Sequence, residues 1–404
     1  MYIGINNIAR KIKNCYIGVG GTARKVKAVY VGVNGVARLV WQSIIKKVTS
    51  FSGQTSVGSA DNGYSVTEVQ HIYKVDDNHI LLGTYSAYYG SLRRCFLYNC
   101  FLNDSGAVTS FTNFETIYEQ NDSSQTNIMG ITKFNDSIGA CVYQVSGASS
   151  IRKICAFYLS GSNTKITEIQ AGITGDLVST LIPIGNNTII VPTVSDAGYI
   201  YGLFYRYDNG VITNKLSMTL SPNIGYKDIL ANSTPVIFPL SNNRFCIISA
   251  VQQRYSTSEY YLVVTIYNYS FDSSNVPVIT LHSNTIIPYA RITKAVMLDN
   301  DYVVLTGDVV IGLHIDSNNG ITYSNYLDFS PNICTRIGTS NSICSASGGT
   351  ISVLYYDIEN NTVSNTYNGT TNNTTKYYGV PYKNDSVLYG RGSSIVYLDK
   401  LTFS

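Results

Sequence analysis

Apolar residues along this chain fall in short runs, separated by turns rich in Asn, Asp, Ser and Gly. From about residue 70 one such turn recurs seven times, and an apolar strand follows it at once. The first apolar residues after these turns are Ile80, Ile138, Ile189, Phe245, Val303, Ile343 and Val387, which lie 40 to 58 residues apart. Short apolar runs bounded by turn residues predict strands rather than helices.

Each recurring turn has one short strand before it. A third, aromatic-rich strand follows after a loop, and most units add a polar turn and a fourth strand. Seven units of four antiparallel strands are typical of a β-propeller. A pair of stacked β-sandwiches is the alternative, but it does not explain a turn repeated at similar spacing. We therefore predict an all-β chain with a propeller over residues 70–404.

The last unit ends at "KLTFS", without a fourth strand. The segment "KKVTSFSGQTSVG", just upstream of the first unit, has the composition of a strand. We predict that residues 48–69 hold a linker and a strand that completes the last blade. A ring closed in this way leaves fewer exposed sheet edges.

Residues 2–43 consist of three versions of one 14-residue phrase: YIGINNIARKIKNC, YIGVGGTARKVKAV and YVGVNGVARLVWQS. In each, a short apolar strand meets a two-residue turn, and a basic return strand follows. Turns such as Asn34-Gly35 tolerate positive φ at both central positions of a tight hairpin. The pattern predicts three hairpins forming a small β-meander within residues 1–47. So small a sheet needs support from another protein or from copies of itself.

Charge is unevenly distributed along the chain. Only 13% of residues are charged and the net charge is +3, yet residues 1–60 carry nine bases and no acid. The remaining 19 bases are outnumbered by 25 acids. A basic head on an acidic body favours docking on an acidic surface; the alternative is that the bases only solvate a small sheet. The predicted attachment residues are Arg10, Lys11, Lys13, Arg24, Lys25, Lys27 and Arg38.

These tandem phrases resemble the opening segments of structural proteins of tailed bacteriophages and prophages of Gram-positive hosts. The resemblance covers about the first 43 residues and implies a virion component, without fixing its position in the particle. It implies contacts with other virion proteins through residues 1–47. A homo-oligomer, or multiple copies per particle, would suit a fibre.

Little in the sequence indicates catalysis. No His residue is placed with another ligand at zinc spacing, and Walker, calcium and nucleophile-elbow motifs are absent. The single Trp41 lies in the head, which argues against a sialidase-type propeller with its repeated Trp motif. We expect no enzyme activity, cofactor or metal. The eight Cys residues form no CxxC pair, so we expect buried free thiols.

Two tyrosine-rich stretches are the candidate ligand-binding residues, since Tyr suits stacking on sugars or packing on protein. They lie in "TYSAYYGSLRR" and "QQRYSTSEYY", which join the second and third strands of two units. The alternative is that they only cover the blade edges. The predicted residues are Tyr85, Tyr88, Tyr89, Arg93, Arg254, Tyr255, Tyr260 and Tyr261.

The combined expectation is a virion protein of the tail-fibre, baseplate or receptor-binding type. Its head would dock on the particle, and its propeller would bind a host-surface glycan or protein, with no nucleic-acid or membrane partner. Without a signal peptide or an apolar run long enough to span a bilayer, it would be made in the host cytoplasm. The alternatives are a carbohydrate-active propeller enzyme, a head-surface decoration and a purely scaffolding protein.

Overall fold

A computed structural model describes most of the chain. The described residues are 2–5, 8–11, 15–19, 22–26, 28–33, 36–42, 48–59, 65–87, 93–113, 118–120, 126–145, 151–159, 165–171, 176–177, 180–194, 199–220, 227–229, 235–252, 260–288, 292–299, 301–330, 334–347, 350–370, 378–383, 385–392 and 395–403. Within these ranges the regular elements are all strands. The predicted all-β fold is confirmed.

The repeated phrases form three antiparallel hairpins, as predicted. Their strands are β1 (Tyr2–Ile5), β2 (Ile8–Lys11), β3 (Cys15–Val19), β4 (Thr22–Val26), β5 (Ala28–Val33) and β6 (Val36–Gln42). Among the described residues each hairpin is its own two-stranded sheet, so the continuous six-stranded meander is not formed. β4 and β5 are only one residue apart, which is shorter than the two-residue loop of the common tight hairpins.

Seven sheets follow, and each is a blade whose first strand lies toward the ring centre; in blades 1 to 6 the main strands run outward in chain order. Blade 1 contains β8 (Ser65–Asp76), β9 (His79–Ala87), β10 (Arg93–Leu102) and β11 (Val108–Asn113), with β12 (Tyr118–Gln120) also paired to β10. Blade 2 contains β13 (Thr126–Lys133), β14 (Ile138–Val145), β15 (Ile151–Tyr158) and β16 (Lys165–Ala171). In blade 3, β17 (Asp176–Leu177) and β18 (Ile182–Gly185) both pair with β19 (Thr188–Val194), followed by β20 (Ile200–Asp208) and β21 (Val211–Thr219).

Blade 4 has the two longest neighbouring strands of the ring. Here β22 (Lys227–Ile229) and β23 (Val236–Leu240) pair with β24 (Arg244–Gln252), followed by β25 (Tyr260–Phe271) and β26 (Pro277–Pro288). Blade 5 contains β27 (Ile292–Met297), β28 (Tyr302–Gly307), β29 (Val310–Ile315) and β30 (Ile321–Leu327). Blade 6 contains β31 (Cys334–Arg336), β32 (Ser342–Ser347), β33 (Thr350–Asp357) and β34 (Thr362–Thr370). Blade 7 contains β35 (Tyr378–Tyr382), β36 (Ser386–Gly392) and β37 (Ile395–Phe403).

The fourth strand of blade 7 comes from the other end of the propeller sequence. β7 (Val48–Ser59) pairs with β37 from Phe403 opposite Val48 to Ile395 opposite Ser59. β7 therefore has the place predicted for the closing strand, and β8 of blade 1 begins at Ser65, before the predicted start of the propeller at residue 70. The first strands of successive blades contact one another around the whole circle, including β35 against β8, so the ring is closed.

Apolar clusters fill the junctions between neighbouring blades, as expected when each sheet buries its faces against the next. One cluster joins blades 4 and 5 through Ile248, Val264 and Leu305, and another joins blades 7 and 1 through Leu388 and Leu82. The seven apolar residues that follow the repeated turns all lie at or next to the start of each blade's second strand, and all are buried.

The backbone conformation of two of these turns explains why Asn recurs in them. Asn186 and Asn187 have φ of 53° and 54°, and Asn242 and Asn243 have φ of 59° and 56°. Asn186 and Asn187 form a two-residue hairpin turn, in which positive φ at both positions matches the twist of the flanking strands. Asn242 and Asn243 are the last two residues of a three-residue loop, and Asn tolerates positive φ better than most residues.

Candidate functional site

The ring has two unlike faces. Strands alternate in direction within each blade, so the turns after the first and third strands lie on one face, here called the turn face. The connections after the second strand, and those that lead to the next blade, lie on the opposite face, here called the loop face. The repeated Asn/Asp turns all belong to the turn face.

On the turn face, polar side chains connect neighbouring blades. Asn135 Nδ2 donates to Asn187 Oδ1 at 3.0 Å between blades 2 and 3, and Asn186 Nδ2 donates to Asn275 Oδ1 at 2.6 Å between blades 3 and 4. Between blades 7 and 1, the Tyr382 hydroxyl donates to a main-chain carbonyl at 3.1 Å. These turns hold the blades in register with one another.

The most buried of these connections joins blades 4 and 5 at Arg244, whose side chain is 3% exposed. Its Nη2 lies 2.8 Å from Asp301 Oδ2, and its Nη1 donates to Asn319 Oδ1 at 2.6 Å and to the Asp316 carbonyl at 2.8 Å. The Ser241 main-chain N–H and hydroxyl both donate to the Asp301 carboxylate. Each charge is therefore paired and further hydrogen-bonded, as a buried ion pair requires.

Blades 5 and 6 are joined by a more open pair. Both terminal nitrogens of Arg336 donate to Asp299, at 2.9 and 2.6 Å, in the bidentate geometry that suits a guanidinium and a carboxylate. The Asp299 side chain is 46% exposed, so water screens much of this attraction. The polar chemistry of the turn face is thus largely satisfied within the ring.

The hairpins are tethered on the turn-face side. β7 starts at Val48, opposite the turn-face end of β37, and runs toward the loop face. Gln42, the last residue of β6, is six residues before Val48, so it lies within about 20 Å of that point. The third hairpin is therefore held beside the turn face at blade 7.

The predicted tyrosine-rich residues lie toward the loop face. Tyr85 is near the end of β9 and Arg93 begins β10, whereas Tyr260 and Tyr261 begin β25. Tyr85 and Tyr261 are both half-buried. Four further predicted residues lie outside the described residues: Tyr88, Tyr89, Arg254 and Tyr255.

The two stretches are not brought together. Tyr85 belongs to blade 1 and Tyr261 to blade 4, and two blades separate them on the shorter way round the ring. They share a face but cannot surround one small ligand. Whether they bind anything remains a prediction, and any common target would have to be extended.

The predicted attachment residues recur at equivalent positions of the three hairpins. Arg10 is opposite Ile3, Arg24 is opposite Ile17, and Arg38 is opposite Val31. Lys11 and Lys25 each follow at the next position and are opposite a Tyr. Lys13 and Lys27 lie outside the described residues. The same basic position is therefore presented three times.

The inner strands carry a polar group that the sequence pattern did not indicate. Gln70 of blade 1 donates to Asn127 of blade 2 at 2.7 Å and accepts from the Ile128 main-chain N–H at 2.7 Å. Beside it, burial and nearby Lys294 lower the pKa of His71 to about 4, although a hydrogen bond to the Met129 backbone opposes this shift. Burial also lowers the pKa of Lys294. The only signal in the sequence is a polar residue within an apolar strand.

The other His residues have structural partners. His79, the first residue of β9, contacts the buried Asn99 side chain and stacks on Phe101. His314 stacks on Tyr302 with ring centroids 4.0 Å apart. Burial lowers the pKa of both imidazoles, so both favour the neutral form.

Seven of the eight cysteines have described side chains, and all seven are buried free thiols, as predicted. Burial raises the pKa of the Cys334 thiol to about 11 and that of Cys344 to about 12, which makes them poor nucleophiles. Among the described residues no group of three or more His, Cys, Asp or Glu is arranged to hold a metal ion. The same part of the chain contains no helix long and apolar enough to cross a membrane.

Comparison with solved structures gives the same fold. The chain is similar to a proposed 6-phosphogluconolactonase from Bacteroides uniformis, with 12% identity, a TM-score of 0.51, and coverage of 75% of this chain and 85% of that one. Similarity extends to the WD40 β-propeller domain of Doa1 (10% identity, TM-score 0.46, 83% and 97% coverage). A proposed 6-phosphogluconolactonase from Bacteroides fragilis is also similar (11% identity, TM-score 0.47, 76% and 95% coverage).

At such low identity the similarity concerns the fold alone and says nothing about activity. The strand pairings of this chain themselves define its class of fold, a seven-bladed β-propeller. No protein-family model matches the chain, and no curated protein matches it.

Proposed function

We propose that this protein is a non-enzymatic attachment component of a tailed-phage or phage-like particle. In this proposal the N-terminal hairpins dock on other virion proteins, and the loop face of the propeller binds a host-surface glycan or protein. The resemblance of the 14-residue phrases supports the virion setting. The difference between the two faces of the ring supports assigning docking to the hairpins and host binding to the loop face.

The difference between the turn face and the loop face is the observation on which the proposal rests. The hairpins are tethered beside the turn face, whose polar groups are used between blades. The tyrosine-bearing strand ends lie on the opposite face, directed away from the tether. A protein anchored through its hairpins would therefore present the loop face outward. Loops on a rigid scaffold are common carriers of binding function.

The alternative, a carbohydrate-active propeller enzyme, predicts Asp, Glu and Arg side chains meeting at the centre of the ring. Among the described side chains, the inner strands bring Gln70 to Asn127 and His71 near Lys294. The side chains of Glu68, Asp176 and Asp228, on other inner strand positions, lie outside the described part of the chain. Assay of purified protein for sugar release from host cell wall tests the enzyme directly.

Two full-length variants separate docking from host binding. In the first, Arg10, Arg24 and Arg38 are all changed to Glu, and we expect loss of the protein from purified particles while the free protein still binds host cell wall. In the second, Tyr85→Ser and Tyr261→Ser are combined. We expect this variant to be incorporated into particles normally but to lose binding to host cell wall. Lys215→Glu, on β21 of the propeller, is the charge-reversal control.

Host-cell-wall pull-down and immunogold labelling of particles measure the two properties. If the free protein shows no host binding, the host-binding role is wrong and a scaffolding role remains. If the triple variant still enters particles normally, the hairpins are not the docking module.

A further inference from the structure

Apolar side chains gather at the junction between blades 3 and 4, and some are exposed on β21 of blade 3 and β26 of blade 4; this surface is here called the blade 3–4 groove. Six half-buried apolar side chains pack against the core cluster at this junction, more than at any other junction of the described residues. They are Val194, Leu216, Met218, Tyr269, Phe271 and Ile279. At its edges Val211 is 54% exposed and Leu281 is 53% exposed.

Strand register places these side chains on one face. Along β26, Leu281 is opposite Tyr267, and Ile279 is opposite Tyr269. Both tyrosines pack at the junction with blade 3, so Leu281 and Ile279 face the same junction. On the other side, Leu216 is opposite Phe204, which is buried in the same cluster. Exposed apolar side chains grouped in this way are typical of an interaction site.

The strands that border the groove carry little charge. β26 has no Lys, Arg, Asp or Glu in its 12 residues, and β21 has only Lys215. Edge strands that avoid pairing usually carry charges or Pro that block an added strand. β26 has prolines only at its two ends, so its length remains open to a partner strand.

The third hairpin, formed by β5 and β6, has the matching chemistry. Its strands, AVYVGV and VARLVWQ, contain a single charged residue, Arg38, whereas each of the other hairpins has two bases in its strands. A two-stranded hairpin is marginally stable alone and gains from a third strand or an apolar support. The exposed Asp272, at the turn-face end of β26, offers a carboxylate for the single base.

The third hairpin of the same copy is poorly placed to lie along this groove. The third hairpin is tethered to blade 7 within about 20 Å. Blades 3 and 4 are the two blades farthest from blade 7 in a ring of seven. Two blades of four strands on opposite sides of the centre already span about 30 Å, without the channel between them. A neighbouring copy has no such restriction.

We propose that the β5–β6 hairpin of one copy docks in the blade 3–4 groove of a second copy. This proposal rests on the attachment role proposed for the hairpins, because it names the partner of one of them. The contact is heterologous: the surface on one copy differs from the surface on the other. Such a contact produces a closed ring of copies or an open chain of copies.

Full-length purified protein tests this contact without any particle or host. Its mass is measured by light scattering from nanomolar to high micromolar concentration, together with the emission of Trp41, the only Trp in the chain. Leu281→Asp places a charge in the groove. Val278→Asp is the matched control, since Val278 is 44% exposed on the same strand but faces the other way.

We expect the unmodified chain and Val278→Asp to associate beyond one chain, and Leu281→Asp to remain a single chain with Trp41 emission shifted to longer wavelength. A single-chain mass for the unmodified protein at all concentrations would overturn the proposal. So would equal association of Leu281→Asp and Val278→Asp, or loss of association without any change in Trp41 emission. Host-binding and particle-incorporation assays are separate measurements, so each proposal can fail alone.

Discussion

The turn face and the loop face of this ring are built from the same strands but use polar residues differently. On the turn face, Asn, Asp and Arg side chains form hydrogen bonds and ion pairs between blades, as Arg244 and Asp301 illustrate. On the loop face, the tyrosine-bearing ends of β9 and β25 lie in blades 1 and 4, which are not neighbours in the ring. A conspicuous repeated polar motif can therefore be structural, while a less regular face is the better candidate for recognition.

The largest effect should follow from removing the closing strand. Deleting residues 1–59 removes β7 and leaves β37 without its outer partner, whereas deleting residues 1–47 leaves β7 in place. With net contributions near 0.5–1.5 kcal/mol for each backbone hydrogen bond, we expect the first deletion to cost on the order of 5 kcal/mol. Thermal unfolding of both proteins measures the difference. Equal unfolding temperatures would show that β7 does not hold the ring together.

Breaking the buried ion pair should have the next largest effect. Asp301→Ala leaves Arg244 buried without its carboxylate, and we expect a loss of about 3–5 kcal/mol. Asp299→Ala removes the corresponding carboxylate from the exposed pair with Arg336, and we expect a loss of about 1 kcal/mol or less. Urea unfolding of the two variants compares them directly. Similar losses would contradict the assignment of different burial to the two pairs.

The sequence predicted elements that depend on local pattern, and it missed contacts between blades. The seven apolar residues after the turns, such as Ile80 and Phe245, lie where the recurring turn predicts them, in second strands whose consecutive residues are buried. The closing strand was predictable because the last unit was one strand short. No local pattern relates Arg244 to Asp301, 57 residues away, because ring geometry alone brings them together.

In the N-terminal hairpins, too, local structure could be predicted from the sequence and longer-range pairing could not. Each hairpin was predictable from its own turn, but pairing between hairpins depends on the connection lengths. The expected six-stranded sheet ignored the single residue that separates β4 from β5. For the two tyrosine-rich stretches, the sequence pattern predicted that both lie on one face of the ring. It did not predict that they lie far apart, in blades 1 and 4. Recognition by these residues stays a prediction.

Acid should destabilise the ring through His71 on its inner strand. Its pKa falls from the ordinary 6.5 to about 4 in the folded protein, so the unfolded chain binds more protons between these values. Stability is therefore fully retained above pH 6.5 and declines as the pH falls toward 4, by up to about 3 kcal/mol. Unfolding temperature across this range, for the native chain and His71→Gln, measures the effect. An unchanged pH slope in His71→Gln would assign the loss to other groups.

The smallest effect concerns the repeated turn itself, and it tests whether Asn is there for its backbone conformation. Asn243 is exposed and has a φ of 56°, and its carbonyl accepts a hydrogen bond from the Tyr269 N–H at 2.9 Å. A β-branched residue is strained in this conformation, so Asn243→Val should cost about 1–2 kcal/mol. Asn243→Gly should change stability by a few tenths of a kcal/mol at most, because Gly adopts positive φ freely.

Asn318 provides the control for that turn. It is also an exposed Asn on the turn face, but its φ is not positive. Asn318→Val should change stability by less than about 0.5 kcal/mol. If Asn243→Gly costs as much as Asn243→Val, then the amide side chain has a contact of its own. The turn face would in that case offer a polar group for recognition, and its contrast with the loop face would be weaker.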